Sequence, residues 1–167
     1  MSRLIRVAVV TVSDRSFRGE RPDAGGPAVA EAARRLLGAE VLETVLVPDE
    51  RDDIEWHLKR LADTDGADLV LTTGGTGLGP RDVTPQATTA VVDYPVPGLA
   101  EAMRSASRAT LPEADLSRQV AGVRSTTLIV NLPGSPRGAV ACLEVVASVL
   151  PHAVSTLRGG EGHPTRS

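Results

Sequence analysis

An α/β fold, a single-domain three-layer α/β/α sandwich around a mostly parallel sheet, is predicted by three features of the 167-residue chain. First, short β-branched runs, Leu4 to Val12, Leu69 to Leu71 and Thr126 to Asn131, lack polar alternation, as strands buried on both faces do. Second, helical patterns separate these runs, and alternation of strand and helix favours parallel pairing with helices on both faces. Third, each run ends in polar or turn-forming residues, and a parallel sheet gathers such ends along one edge.

Taken in order, Leu4 to Val12 reads as a central strand ending at Ser13-Asp14-Arg15. Residues 15–24 read as a polar loop. Asp23 is placed to cap a helix opened by Gly25-Gly26-Pro27, apolar through Val29, Ala33, Leu36 and Leu37 and stopped by Gly38. Glu40 to Val47 alternates and suits a strand nearer an edge, ending at Pro48-Asp49-Glu50. Asp53 to Leu61 forms a helix with Ile54, Leu58 and Leu61 inward, and Trp56 lies either at a partner surface or over the sheet.

The strand at Leu69 breaks into Gly74, Gly75, Gly77 and Gly79, a loop that allows positive φ and close approach of backbone to a ligand. Its N–H groups suit an anion. Asp82 follows, then a helix from Pro85 to Val92. Gly79-Pro80-Arg81 excludes the P-loop ending, and Pro80 interrupts a dinucleotide fingerprint. Tyr94 to Gly98 breaks the chain. Helices are predicted over Pro97 to Ala109, Glu113 to Ala121 and about Gly138 to Leu150, with the Thr126 to Asn131 strand between the last two. One domain over residues 1–157 is expected, with a Gly/Pro-rich, frayed tail over residues 158–167.

Composition narrows the function. Aromatic content of 2% leaves no stacking platform for single-stranded nucleic acid, and a net charge of −3 gives no basic footprint, so no nucleic-acid partner is expected. The single cysteine, Cys142, excludes an internal disulfide and reads as a small buried hydrophobe. No apolar run approaches membrane-spanning length, so no membrane partner and a cytoplasmic location are expected. His57, His152 and His163 match no metal-ligand spacing.

Asp14, Asp49 and Asp82 at neighbouring strand ends converge on the glycine loop. Carboxylates beside a phosphate cradle call for a cation, and Mg²⁺ takes one or two carboxylates with phosphate oxygens and water. The residues therefore point to a nucleotide–Mg²⁺ site, where phosphoryl or nucleotidyl transfer needs little beyond positioning and charge stabilisation.

At TTGGTGLGPRDVTP, Thr72 to Pro85, the sequence resembles the MogA/MoaB family of molybdenum-cofactor biosynthesis proteins. The likeness runs on through VSDR (12–15), DAGGP (23–27), PDE (48–50), PGLAEAMR (97–104), SRQVAG (117–122) and NLPGSP (131–136). The resemblance implies the molybdenum-cofactor biosynthesis fold and molybdopterin adenylyltransferase activity, with ATP and molybdopterin as substrates and Mg²⁺ as cofactor. It implies that Asp49 and Asp82 are the essential, metal-holding acids, and that Thr73, Gly74, Gly75, Thr76 and Gly77 form the phosphate cradle. Ser13, Asp14 and Asp23 would line the nucleotide side, and Gly98, Glu101, Ser117 and Asn131 the pterin side. It implies a homotrimer and a molybdenum-insertion protein as a possible partner. A non-catalytic, MoaB-type molybdopterin-binding or scaffold protein is the alternative, and a nucleotide-binding regulator a third.

Overall fold

The computed structural model describes residues 3–159. Six strands form one sheet in the order β2-β1-β3-β6-β5-β4. The strands are β1 (Arg6–Val12), β2 (Glu40–Val47), β3 (Leu69–Thr73), β4 (Tyr94–Pro95), β5 (Ala121–Arg124) and β6 (Thr127–Leu132). β2, β1, β3 and β6 are parallel. β5 runs antiparallel to β6, and β4 antiparallel to β5. The alternating strand β2 occupies an edge, as its pattern predicts.

The pleat of the central strands divides the core in two. Val7, Val9, Leu69, Leu71, Leu128 and Val130 pack beneath α2 (Gly25–Leu37), α5 (Pro97–Arg108), α6 (Pro136–Val146) and α7 (Leu150–Leu157). Ala8, Val10, Val70 and Ile129 face α3 (Arg51–Asp63) and α4 (Thr84–Val91) on the other side. Alternate residues of one strand thus serve opposite helix layers, which is why the runs show no alternation of apolar and polar positions. Ile54, Leu58 and Leu61 of α3 are fully buried, each stabilising by about 1.5–3 kcal/mol. Gly38 ends α2 in the left-handed region at φ 58°.

Several expectations are corrected. Residues 14–17 form a short helix, α1 (Asp14–Phe17), instead of loop. The segment read as a helix over Glu113 to Ala121 is a 3₁₀ turn, Pro112–Leu116, leading into β5. β5 returns to β6 through Ser125-Thr126, with Ser125 at φ 54° and its N–H donated to Asp93 Oδ2 at 2.7 Å. The last predicted helix ends earlier than expected, at Val146, and an unpredicted helix, α7, follows from Leu150 with Pro151 in its first turn.

Arg158, expected to open the frayed tail, is anchored. Its Nε donates to Asp68 Oδ1 at 3.0 Å, and its Nη groups reach the carbonyl oxygens of Arg3 and Leu4. The rest of the predicted tail from residue 160 lies outside the described residues. Asp68 also accepts from the Arg6 N–H at 2.8 Å and from Arg3 at 3.1 Å. Burial pushes the Asp68 carboxyl up, but Arg158, the Arg6 N–H and Arg3 together outweigh it and hold the group below its usual value of 3.8. A depressed native pKa stabilises the fold above the unfolded value, and the contribution is lost as pH falls from about 4 through the native pKa. Asp68→Asn should cost about 1.5–3 kcal/mol at pH 7, and less at about pH 3, below the unfolded value, where the contribution of the native carboxylate is falling. Urea unfolding at the two pH values measures the difference.

Candidate active site

The parallel strands place their carboxyl ends together, and the connections leave β1 and β3 in opposite directions across the sheet. In such sheets the ligand crevice lies at that switch point. A cleft of about 730 Å³ occupies it.

Its floor is built at the end of β1. The Ser13 N–H bonds Val47 O at 3.0 Å, and Ser13 Oγ accepts from Ser16 N at 3.2 Å, capping α1. The next residue turns back on β2. Asp14 N donates to Asp49 Oδ2 at 2.7 Å, and Asp49 N donates to Asp14 Oδ1 at 2.9 Å. This reciprocal pair fixes the two strand ends to each other. Arg81 spans Asp14, at 3.0 and 3.1 Å, and Glu50, at 2.7 Å.

The two acids differ electrostatically. The Arg81 guanidinium, with the Asp49 N–H, holds the Asp14 carboxyl below the usual range. Burial pushes the Asp49 carboxyl up; the Asp14 N–H opposes this, but the charges of Asp14 and Asp82 add to it. Asp14 already has its cation, whereas Asp49 is a half-buried acid facing like charge. A divalent cation beside Asp49 would remove that strain.

The glycine loop supplies the adjoining wall. Thr73 Oγ1 donates to Pro133 O at 2.7 Å, tying the β3 end to the segment after β6. Gly74 and Gly75 adopt φ of 103° and 69°. A Cβ on Gly74 would lie 2.2 Å from Val12 O, and one on Gly75 2.3 Å from Thr84 Oγ1. Thr84 secures the turn by bonding Gly74 O through its hydroxyl and Gly75 O through its N–H, at 2.9 and 3.2 Å. Further along, Asp82 folds back so that Oδ2 accepts from Gly79 N at 2.9 Å.

Ser13, Asp14, Asp23, Asp49, Thr73, Gly74, Gly75 and Asp82 all line this cleft. Asp23 Oδ1 also accepts from Gly26 N at 3.0 Å, so it caps α2 from within the cleft. The cradle is narrower than expected. The Gly74 N–H is taken by Leu132 O at 3.2 Å, and Thr76, buried, and Gly77 lie off the cleft wall. Gly74 and Gly75 are the loop glycines on the cleft wall.

The expected pterin side divides. Asn131 is fully buried: its Nδ2 bonds Thr72 and Thr88 hydroxyls at 3.0 and 2.9 Å, and its Oδ1 accepts from Val120 N at 3.2 Å. It joins strands and α4 and lines neither the cleft nor the cavity beside Ser117, so its assignment as a ligand contact is corrected. Gly98 and Glu101 are exposed on α5 and line neither the cleft nor the cavity beside Ser117. Ser117 lines a second cavity of about 390 Å³ with Ser107, Gln119 and Cys142. The two cavities share Ser135, in the loop after β6. Gln119 Oε1 is buried without a hydrogen-bond partner. Burial raises the Cys142 thiol pKa, leaving it protonated.

Sequence reasoning missed Gly134 and Ser135 on the shared wall and Arg18 and Arg21 on the cleft. Ser135 carried a signal, because Ser-Pro opening a helix marks a cap, and its Oγ accepts from Gly138 N at 3.1 Å.

No group of three His, Cys, Asp or Glu side chains suited to a metal occurs among the described residues. Two acids on the cleft wall, Asp49 and Asp82, instead fit Mg²⁺, which takes one or two carboxylates and completes its shell with phosphate oxygens and water. Fold and cleft together define an α/β protein with a polar crevice at the carboxyl ends of its parallel strands and a second cavity adjoining it.

Residues 8–152 match the family model described as "Probable molybdopterin binding domain". The chain is 48% identical over 147 residues to the molybdopterin adenylyltransferase of Haemophilus influenzae, covering 87% of this chain and 75% of that protein. It is 47% identical over 143 residues to the Escherichia coli molybdopterin adenylyltransferase, covering 85% and 73%. Its fold is similar to the crystal structure of the molybdopterin biosynthesis enzyme MoaB of Thermus thermophilus, at TM-score 0.87 and 52% identity over 93% of this chain and 98% of the other. The chain belongs to the MogA/MoaB family of molybdenum-cofactor biosynthesis proteins.

Proposed function

We propose that this protein is a molybdopterin adenylyltransferase. It transfers AMP from ATP to the terminal phosphate of molybdopterin and releases pyrophosphate. The observation that carries this reading is the presence of two acids, Asp49 and Asp82, on the wall of a cleft that shares Ser135 with a second cavity. The close relatives named for this activity support it.

A phosphate oxygen of molybdopterin attacks the α-phosphorus of ATP. The new P–O bond forms as the bond to pyrophosphate breaks, and the oxygen's charge passes to the leaving group. Mg²⁺ held by Asp49 and Asp82 would neutralise the phosphate oxygens. The chain supplies orientation. The Gly75 N–H faces the phosphates, Ser13 and Asp23 bound the nucleotide side, and Asp14 fixes Asp49 through the reciprocal bonds. Ser117 and Gln119 bound the pterin side, where the unpaired Gln119 Oε1 suits a pterin amide or amino N–H. The same reading includes a homotrimeric, cytoplasmic protein that passes its product to a molybdenum-insertion protein.

The test is pyrophosphate release by purified protein with Mg²⁺. Release should require ATP and molybdopterin together. Binding of both without release would favour the non-catalytic, MoaB-type role, and binding of ATP alone a regulator.

A further inference from the structure

The Ser117-Arg118-Gln119 segment faces two ways. Ser117 and Gln119 line the second cavity. Arg118 between them reaches the glycine loop. Its backbone N–H donates to Thr76 O at 2.8 Å, its Nε to Gly77 O at 2.8 Å and its Nη2 to Asp82 O at 2.6 Å. These bonds clasp both sides of the loop tip. The charge-assisted pair is the stronger kind of hydrogen bond and fixes an angle as well as a distance. Within the loop, Asp82 is otherwise held by short-range bonds with Gly79, Asp82 N to Gly79 O and Gly79 N to Asp82 Oδ2. The strap itself is fastened from the cavity side by Arg104, whose Nη1 donates to Ser117 O at 3.2 Å and to Gln119 O at 2.9 Å.

Resting on the adenylyltransferase reading, we propose that Arg118 is a positioning residue that couples occupation of the second cavity to the placement of Asp82 in the nucleotide cleft. A ligand seated against Ser117 and Gln119 fixes the strap, and the Arg118 guanidinium carries that constraint to the Asp82 backbone. The buried, unpaired Gln119 Oε1 gives the ligand a group to satisfy on the strap itself. Each substrate should therefore tighten binding of the other, because coupling between sites is reciprocal.

Calorimetric titration with Mg²⁺ and α,β-methylene ATP, which resists cleavage at the α-phosphorus, measures this coupling. In the native protein, saturating molybdopterin should tighten analogue binding about fivefold or more. In Arg118→Gln the tightening should fall below about twofold, while each ligand alone still binds. Arg118→Lys, which keeps the charge but loses the fork, should fall between. If Arg118→Gln does not fold, the Lys variant alone decides. A variant that only loosened the fold would lower the melting temperature and weaken each ligand alone without erasing the coupling. Full coupling in the variants, or none in the native protein, would overturn the proposal. Failure of the native protein to bind either ligand would overturn the adenylyltransferase reading, and this inference with it.

Discussion

Asp49→Asn and Asp82→Asn should each lower adenylylation by about 10²–10³, the range for removing one electrostatic stabiliser of a transition state. Asn preserves size and a carbonyl acceptor. The Asp14 N–H can still bond residue 49, and the Gly79 N–H residue 82, as both do now. Only the charge is removed. For Asp49 that charge is already opposed by burial and by the neighbouring carboxylates, so its retention suits a cation rather than stability. If both acids hold one ion, the double variant should cost less than the product of the singles. Pyrophosphate release at saturating substrates, with thermal melting in parallel, checks this. Near-native turnover in both variants would remove the acids from the chemistry. A collapse in melting temperature would make them structural.

Gly74→Ala should destabilise the protein by about 2–5 kcal/mol, combining a strained φ with overpacking. The added methyl would stand 2.2 Å from the Val12 carbonyl oxygen, part of the backbone of a buried strand. Moving that strand end would also disturb Ser13 and Asp14. Gly19→Ala is the control. Gly19 also has positive φ, 74°, but its methyl would meet nothing within 4 Å, so the cost should be about 1–2 kcal/mol. Equal urea midpoints for the two variants would show that the loop shifts freely and that the close approach is unimportant.

The sheet was legible where burial is two-sided. β1, β3 and β6 have no solvent face, so their apolar runs admit few other readings. β5 was not legible: it has four residues, and its hairpin turns through Ser125-Thr126 without the glycine or asparagine that positive φ favours. The helix predicted to Leu150 stops at Val146, and α7, with Pro151 in its first turn, was left unassigned. Within the site, residues at strand ends were accessible to pattern, because turns and acids interrupt apolar runs there. Asn131 shows the limit. It stands one residue before the end of β6, opposite Thr72, and the pleat turns it toward Thr88 in the core. Arg118 shows another limit. Its side-chain partners are backbone carbonyls 41 and 36 residues earlier, and no spacing rule reports such bonds.

In the proposed reaction Asp49 and Asp82 would jointly hold one cation at the phosphates of the nucleotide. Anomalous scattering from crystals grown with Mn²⁺ in place of Mg²⁺, together with α,β-methylene ATP, tests it most directly. The expected result is a manganese peak between the two carboxylates, with the nucleotide phosphates beside Gly75, and no peak there in the Asp82→Asn protein. A peak on the phosphates but remote from both acids, or a nucleotide bound outside the cleft, would contradict it.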